Sequence, residues 1–466
     1  MQKQLSNQRA IVVGASMVGM AVARALSERF HEVILIERDV LPKDAPEHRR
    51  GVPQSLHIHN LMLRGQQELE ELFPGYFDEA VRLGATRIDH GRDVARCTDL
   101  GFCPLFATGY ESLSASRALF EFAQRQRFRA LCPNVVCLEG TRVEKLLLEG
   151  SGEQRRVVGV STDHPSQREV RAELVVDCSG RSFLWKKWFA DLGIPLPKET
   201  VVDSRCGYAS RFYQRKRPHT ENGVNAMMVD PLYPHRPQWG VIVPIEKDQW
   251  LVTLGGFNEM YPPNDEEGFA RFGETLQTPL FSKWLAEAEP VGPVRNMRRL
   301  EKRWNHFEEQ SRPLAGFLAV GDSAWAFNPL YGQGMSIGIT CARILRDVLR
   351  SNANVEGLPR RYYRAAKSFA QPPWRAAALL DFAWPKTAGD RPFYAGLAQK
   401  VGHSLLRAAQ FDNHLFLMLL RGAHLLAKPH EIMTPRVAIA LLRYWTLRLT
   451  RALPPSDLLR LPERTR

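Results

Sequence analysis

The chain has 466 residues, of which 44% are hydrophobic and 24% are charged. This length is enough for two or three domains with apolar cores, and the composition is typical of a soluble globular protein. The formal net charge of +13 would suit nucleic acid, anionic lipid, an acidic protein partner or a phosphorylated cofactor. Basic residues are spread along the chain without a nucleic-acid-binding motif, so we predict a solvated arginine-rich surface and no nucleic-acid partner.

Two further exclusions follow from patterns along the chain. No run of eighteen apolar residues occurs, and the nearest one, 415–426, is interrupted by Arg421 and His424, so we predict no transmembrane segment. The seven cysteines are odd in number and include no Cys-x-x-Cys pair. They therefore predict reduced thiols in a cytoplasmic protein, and argue against a disulfide scaffold or structural zinc.

The first forty residues predict a nucleotide-binding unit. An apolar strand at 10–13 leads into the turn 14–19, which is followed by a helical pattern and a second strand at 32–36. Glycines in such a turn let the backbone approach a pyrophosphate, and an acid after the second strand accepts ribose hydroxyls. We expect contacts from six residues, with Ser16 at the place of the usual middle glycine: Gly14, Ser16, Met17, Gly19, Glu37 and Arg38.

Other interpretations of this stretch are an ordinary α/β turn and a signal peptide, since Lys3 and Arg9 precede the apolar residues. Glycine interrupts the apolar stretch and no small-residue cleavage site follows it, which argues against a signal peptide. The stretch by itself does not distinguish NAD from FAD.

A basic loop fixed by glycine and proline follows at 49–59. His57 and His59 could form a metal pair, but no third ligand is spaced nearby, so we predict no metal. We expect the loop, with Arg50, to contact phosphate or a ring system. Further along, Ser114 or Ser116 is expected to cap a helix that starts at Arg117. The Arg117 side chain would either reach a phosphate or lie on the surface.

The middle of the chain is rich in predicted strands. Strands are predicted at 135–138, 143–148, 157–161 and 173–177, with hairpin turns at 149–153 and around 164–168, and the last strand runs into a small-residue turn. Residues from about 200 to 285 alternate as in an antiparallel sheet, which we expect to form a separate lobe. Its aromatic and basic residues would line an apolar pocket or pack in the core: Tyr208, Arg211, Tyr213, Trp239 and Trp250.

A second glycine-rich region lies between a predicted strand at 317–320 and a helix that runs to about residue 349. The region would present the Asp322 carboxylate to sugar hydroxyls and bare amides to a planar, electron-rich group. The tail from 366 to 466 is predicted to be helical. Its segment 436–451 alternates apolar and basic residues, which suits a membrane surface, an acidic partner or a packed helix with an arginine edge.

Three of these stretches, in this order, resemble the FAD-dependent monooxygenases of the para-hydroxybenzoate hydroxylase fold. The turn 14–19 with Glu37 resembles their site for the ADP half of FAD, and 321–334 resembles their second FAD motif. The resemblance implies that Asp322 holds the ribityl or pyrophosphate region and that Pro329 lies against the isoalloxazine. Residues 174–180 resemble a third motif, in which Ser179 replaces the usual aspartate.

The same resemblance implies a fold and a set of cofactor contacts. We expect an α/β fold with a Rossmann-like FAD-binding domain (1–185 and 286–365), an antiparallel-sheet substrate domain (186–285) and a C-terminal helical region (366–466). Expected cofactor contacts in the second half of the chain are Gly332, Gly334 and Met335, and Phe327 is added to the expected substrate pocket.

More narrowly, 50–54 with His57 and His59, together with 327–334, is similar to a bacterial branch. That branch includes polyene epoxidases and the flavoprotein that hydroxylates a peptidyl tryptophan during maturation of quinohemoprotein amine dehydrogenase. The resemblance implies that O2 reacts through a flavin C4a-hydroperoxide, with electrons from NAD(P)H or a separate flavin reductase. We predict a peptidyl aromatic substrate, with a lipophilic polyene as the alternative. No residue is a convincing catalytic base; His57 and His59 are candidates.

Three other functions make different predictions. A flavin-dependent halogenase would need a W-x-W-x-I-P stretch, and the nearest one, 239–244, lacks the second tryptophan. A flavin reductase that saturates double bonds would turn over without oxygen. A non-catalytic protein that binds an acidic partner would purify colourless.

Overall fold

The computed structural model describes residues 5–216, 223–298, 300–352, 354–428, 431, 434–450 and 457–465. Its helices are α1 (Met17–Ser27), α2 (Leu63–Leu72), α3 (Tyr76–Arg82), α4 (Arg117–Leu131), α5 (Leu184–Asp191), α6 (Glu266–Glu274), α7 (Leu280–Ala286), α8 (Gly334–Ser351), α9 (Leu358–Asp381), α10 (Ala395–Ala408), α11 (Asn413–Ala423) and α12 (Pro435–Leu449).

The strands are β1 (Leu5–Val13), β2 (Phe30–Ile36), β3 (Thr86–Asp89), β4 (Val94–Thr98), β5 (Gly101–Phe102), β6 (Leu105–Phe106), β7 (Glu111–Ser114), β8 (Val135–Leu138), β9 (Val143–Glu149), β10 (Arg156–Thr162), β11 (Glu169–Arg171), β12 (Leu174–Asp177), β13 (Glu199–Val202), β14 (Gly207–Gln214), β15 (Ala226–Val229), β16 (Gln238–Ile245), β17 (Gln249–Gly256), β18 (Glu289–Met297), β19 (Lys302–Asn305), β20 (Phe317–Ala319), β21 (Trp325–Ala326) and β22 (Arg464–Thr465).

A parallel sheet with the order β20-β12-β1-β2-β8 forms the nucleotide-binding half of the fold. β1 lies at its centre and is almost wholly apolar from Ala10 onward, because helices such as α1 and α8 cover the sheet. The predicted strands at 10–13 and 32–36 are confirmed. β8 was grouped with the hairpins in the prediction, but it pairs with β2 at the edge of this sheet, while β9, β10 and β11 form the antiparallel hairpins.

The second sheet has seven strands in the order β18-β14-β17-β16-β15-β4-β5 and confirms the predicted antiparallel lobe. Helices α6 and α7 pack on one face. The sheet also takes in β4, β5 and β18, which the predicted boundaries assigned to the FAD-binding domain. The reason is that β4 pairs in parallel with β15, more than a hundred residues later, and a pairing between such distant segments leaves no local pattern.

The C-terminal region is helical, as predicted, but its first helix begins earlier. α9 starts at Leu358 and continues through Pro372 and Pro373, because it packs along α8. Helices α10 to α12 share a small apolar cluster of their own. The chain then returns to the β-sheet lobe, where β22 pairs with β6. Among the described residues, no helix is both long enough and apolar enough to cross a membrane.

Candidate active site

The turn between β1 and α1 brings the backbone close to the end of β12. Gly14 has a φ of +100°, and a Cβ at this position would lie 2.8 Å from the Cys178 carbonyl oxygen. A Cβ at Gly19 would overlap the Gly14 carbonyl, so both glycines are required by close packing. No side chain caps α1, because the Ser16 hydroxyl instead accepts a hydrogen bond from Arg117 at 2.9 Å. The first amides of α1 are therefore available to an anion.

Glu37 lies at the end of β2, as predicted, and its side chain is buried. One carboxylate oxygen accepts a hydrogen bond from the Ala15 amide at 2.7 Å, and the other accepts one from the Asp39 amide at 3.1 Å. Glu37 thus fixes the shape of the β1–α1 turn. Its contact with ribose hydroxyls remains a prediction, and because Arg49 Nη1 lies 3.4 Å from the oxygen that faces Ala15, the oxygen that faces Asp39 is the one with a lone pair for it.

Beside this turn, Arg49 rather than Arg50 enters the protein. Arg49 is buried and donates to Glu121 (2.9 Å) and Asp39 (3.1 Å), whereas Arg50 is exposed. Arg38 is also exposed and donates to the Gly51 carbonyl at 3.2 Å. Arg50 is the arginine that the sequence analysis expects to contact the cofactor, but the packing of the loop against α4 turns Arg49 inward and leaves Arg50 exposed.

Arg117 joins the two predicted cofactor motifs. Ser116 caps α4, as one of the two predicted alternatives, which leaves Arg117 in the first turn. Its buried guanidinium contacts the Ser16 hydroxyl of the first motif and the Met335 sulfur of the second. Glu121, one turn further along α4, lies 3.4 Å from Arg117 Nε and balances its charge. Residues more than three hundred positions apart therefore meet at one cation.

The second motif places a carboxylate opposite a helix N-terminus. Gly321 has a φ of +70°, which turns the chain so that Asp322 faces the first turn of α8. A Cβ at Gly334 would lie 3.3 Å from Asp322 Oδ1, and α8 has no side-chain cap. Burial raises the pKa of Asp322, while Arg181, 3.6 Å away, and Arg117 oppose this shift. The carboxylate and the bare amides thus line the same cleft.

A buried ion pair contacts the loop between Asp322 and α8 and fixes its position. Pro329 is exposed, and Gly332 adopts a φ of +64° just before α8. Between them, Tyr331 donates to Asp381 at 2.8 Å, and Asp381 lies 2.9 Å from Lys302 Nζ. Both charged side chains are fully buried, and burial lowers the pKa of Lys302 to about 8. Sequence reasoning missed this pair, whose members are far apart in the chain and match no motif.

The third motif, residues 174–180, forms hydrogen bonds within the protein. Asp177 ends β12 and is fully buried, where it accepts hydrogen bonds from the Ser323 hydroxyl (2.9 Å) and the Ser179 amide (2.8 Å). The Ser179 hydroxyl accepts from the Leu184 amide at the start of α5. Asp177 therefore ties the third motif to the second.

A pocket opens between the seven-stranded sheet and the Pro329 loop. Of the predicted pocket residues it contains Tyr208 and Trp239. Its full lining is His57, Ile58, Tyr208, Met228, Val229, Asp230, Pro231, Trp239, Val241, Thr253, Pro329 and Leu330. Apart from His57, Thr253 and Asp230, this lining consists of apolar and aromatic side chains, and Asp230 is paired with Arg96 at 2.9 Å.

The other predicted pocket residues lie elsewhere, which corrects that prediction. Tyr213 and Trp250 point to the opposite face of the sheet, where Trp250 stacks on Trp284 of α7 at 5.5 Å. Arg211 donates to the Gly292 carbonyl at 3.0 Å and pairs with an acid of α6. Phe327 is buried in the core of the nucleotide-binding half. Successive residues of a strand alternate between faces, so not every aromatic of a sheet can share one pocket.

The two candidate histidines lie beside this pocket in neutral form. His57 Nδ1 is 2.8 Å from the Ser210 hydroxyl, which is 2.6 Å from that of Thr253. Burial lowers the pKa of His57 to about 4. His59 Nδ1 lies 2.9 Å from the His57 carbonyl oxygen, and burial, with Arg117 nearby, lowers its pKa to about 3. Neither ring is protonated to imidazolium at neutral pH, so neither histidine is a general acid there, and their low pKa values make both of them weak bases. Sequence reasoning did not single out Ser210 and Thr253.

These features fit FAD. A dinucleotide needs hydrogen-bond donors for its phosphates, and the two uncapped helix N-termini and the buried arginine provide them. It also needs an acceptor for its hydroxyls, which is the Asp322 carboxylate, and a close approach of the backbone, which the glycine turn allows. We name the Gly14 turn, Arg117, Asp322 and the N-terminus of α8 the cofactor cleft; Pro329, on the loop between Asp322 and α8, lines the apolar pocket.

No protein-family model matches the chain. Protein Rv3254 of Mycobacterium tuberculosis (strain ATCC 25618 / H37Rv) is 31% identical over 449 residues, which cover 92% of each chain. The chain belongs to the family of Protein Rv3254.

Two further relatives carry names that describe an activity. Squalene epoxidase 2, mitochondrial, of Arabidopsis thaliana is 26% identical over 74% of this chain and 54% of its own length. The 6-methylpretetramide 4-monooxygenase of Streptomyces rimosus is 24% identical over 79% of this chain and 82% of its own.

Solved structures share the fold. The flavin-dependent brominase Bmp2 superposes with a TM-score of 0.65 at 16% identity, covering 96% of this chain and 99% of its own. PqsL of Pseudomonas aeruginosa, described as a probable FAD-dependent monooxygenase, has a TM-score of 0.61 at 14% identity, with 81% and 96% covered. The predicted fold is confirmed, and so is the predicted class of enzyme, a flavin-dependent monooxygenase. The narrower bacterial branch remains a prediction.

Proposed function

We propose that the chain uses FAD and O2 to place one oxygen atom on a lipophilic small molecule with a carbon–carbon double bond or an electron-rich aromatic ring. The observation that carries this proposal is the position of Pro329 and Leu330. They belong to the second cofactor motif, and they also form a wall of the apolar pocket. A substrate in this pocket lies against the loop that, by resemblance, borders the isoalloxazine.

FAD supplies the electron transfer and the activation of O2 when it is bound. The protein holds and orients it. The first amides of α1 and the Arg117 guanidinium would hold the pyrophosphate, and Asp322 would accept hydrogen bonds from hydroxyls of the ribityl chain. The Lys302–Asp381 pair holds Tyr331 and so keeps Pro329 in place.

The pocket orients the substrate and excludes water. Tyr208, Trp239 and Val241 provide apolar contact area, which favours a lipophilic ligand. His57 is neutral, and its ring edge lies near Tyr208, with centroids 4.8 Å apart. Its Nδ1 is hydrogen-bonded to the Ser210 hydroxyl, so the Thr253 hydroxyl and the other ring nitrogen offer the polar contacts that would position one oxygen or hydroxyl of the substrate.

The substrate class is supported by the lining of the pocket and by two relatives whose names specify epoxidation and monooxygenation. A peptidyl tryptophan is the less favoured substrate. Side chains of both the sheet and the cofactor loop form the walls of the pocket, and they leave less room for a polypeptide than for a small molecule. Halogenation is the second candidate, since Bmp2 shares the fold. Val241, which lines the pocket, occupies the place where the halogenase stretch has its second tryptophan.

Rapid mixing tests this proposal. The purified protein is loaded with FAD and reduced without oxygen by NADH, by NADPH or by a separate flavin reductase. It is then mixed with O2 in the presence and absence of a test alkene. The expected result is incorporation of one 18O atom from 18O2 into the alkene. Failure to bind FAD, or turnover that continues without O2, would overturn the proposal, and formation of a brominated product with bromide present would replace it by halogenation.

A further inference from the structure

Helix α12 exposes an apolar stripe to solvent. Its four members are between 42% and 80% exposed. At 3.6 residues per turn they fall within an arc of about 120°. We name them the α12 stripe: Ile439, Leu442, Trp445 and Leu449. The opposite side of the helix is buried against its neighbours through Val437, Ala440 and Tyr444. α12 is therefore apolar on two sides, and packing among the described residues of the chain explains only one of them.

Exposed arginines border the stripe on both sides. Arg436 and Arg443 lie along one border and Arg448 along the other, with the Arg448 guanidinium 5.5 Å from the centroid of the Trp445 ring. Neither α10 nor α12 contains an aspartate or glutamate. Arginine stems can lie along an apolar surface while their charged heads reach a polar layer.

The segment that packs against α12 exposes further apolar side chains. Phe393 is fully exposed, and Leu397 and Val401 of α10 are also exposed. Three acids of this region are engaged within the protein: Asp412 caps α11, Glu431 accepts a hydrogen bond from the Lys428 amide, and Asp99 pairs with Arg407 of α10. Helices α10 to α12 thus combine exposed apolar residues with a net positive charge, since their described residues include arginine and lysine but no aspartate or glutamate.

We propose that the α12 stripe docks on the surface of an anionic lipid bilayer. The apolar arc would enter the boundary between headgroups and acyl chains, and the three arginines would contact lipid phosphates. A second copy of the chain fits less well, because its matching surface would bring arginines against arginines on a protein of net charge +13. With fifteen residues, α12 lies on the membrane and does not span it. This proposal does not rest on the proposed function.

Vesicle co-sedimentation of the full-length protein tests the proposal. The probes are vesicles of phosphatidylcholine alone and of phosphatidylcholine with phosphatidylglycerol. We expect binding to the anionic vesicles that is at least tenfold stronger than to the neutral ones and weakens with added salt. Absence of binding to anionic vesicles, or equal binding to both kinds, would overturn the proposal.

Two sets of variants assign the binding to the stripe. Ile439→Ser, Leu442→Ser and Leu449→Ser together should lower anionic-vesicle binding at least tenfold, and the triple Arg436→Gln, Arg443→Gln and Arg448→Gln variant should abolish the preference for anionic lipid. The matched control replaces three exposed apolar residues elsewhere: Val40→Ser, Leu196→Ser and Met260→Ser. Unchanged binding by the stripe variant, or equal loss in the control, would overturn the proposal. A third outcome would also overturn the proposal: the wild type is a dimer that does not bind vesicles, and the stripe variant is a monomer. The stripe would then be an interface between copies of the chain.

Discussion

The cofactor cleft and the substrate pocket lie side by side but are built from different parts of the chain. The cleft is formed mainly by backbone, in glycine turns and helix N-termini. A few charged side chains complete it. The pocket consists of side chains from one face of the seven-stranded sheet and from the Pro329 loop. Backbone geometry demands particular residues in a fixed local order, whereas a pocket wall only demands apolar side chains that face the same way.

The largest expected effect separates the two faces of the sheet. Trp250→Ala should lower the free energy of unfolding by about 3–5 kcal/mol, because it leaves a cavity beside Trp284 on the helix-covered face. Chemical denaturation measures this loss. Turnover per folded molecule should stay near that of the wild type. A loss of turnover with unchanged stability would contradict this assignment and would show that Trp250 contacts the substrate.

A change in the cleft should act on the cofactor alone. Arg117→Gln removes the cation that joins Ser16 and Met335, and should weaken FAD binding about 100-fold, as expected for the loss of a buried charge-assisted contact with phosphate. Fluorescence titration with FAD measures this change, and the melting temperature without FAD monitors folding. Arg129→Gln, at an exposed position of the same helix, is the matched control. Equal FAD affinity in both variants would contradict the assignment.

A change in the pocket should act on the substrate alone. Val241→Trp fills the space between Trp239 and Thr253, and should lower kcat/KM for a lipophilic substrate about 50-fold while FAD affinity is unchanged. Steady-state kinetics measures the first quantity and fluorescence titration the second. Val291→Trp, at an exposed position of the same sheet, should leave both unchanged. An unaffected kcat/KM in Val241→Trp would show that the substrate lies outside this pocket.

The smallest expected effect concerns pH. The pKa of His57 is lowered from 6.5 to about 4 in the folded protein, so below pH 6.5 the unfolded chain binds a proton that the folded protein does not. Stability should therefore fall as the pH drops from about 6.5 to about 4. The contribution of His57 should reach about 2 kcal/mol at pH 5. Comparing unfolding at pH 7 and pH 5, His57→Gln should reduce this pH dependence by that amount.

The control for this effect is His235→Gln, which changes an exposed histidine. It should retain the full pH dependence of the wild type. If His57→Gln and the wild type lose the same stability between pH 7 and pH 5, His57 is not buried in neutral form.

The sequence by itself determined the elements in which local geometry dictates residue type. The Gly14 turn, the acid after β2 and the Asp322 loop were predicted in place, because tight backbone turns and helix ends tolerate few residues. The same holds for the strands of the parallel sheet and for β14, β16 and β17 of the seven-stranded sheet, whose apolar residues reflect burial. Residues 1–4, which include Lys3 of the signal-peptide alternative, lie outside the described part of the chain.

Only the tertiary structure decided which side chains meet. It buried Arg49 and exposed Arg50, joined the two motifs at Arg117, and assembled Lys302 with Asp381. It also divided the aromatic residues between two faces of one sheet and drew β4 into that sheet. Each of these outcomes depends on contacts between segments far apart in the chain, where the free energy comes from packing and charge pairing and leaves no local pattern to read.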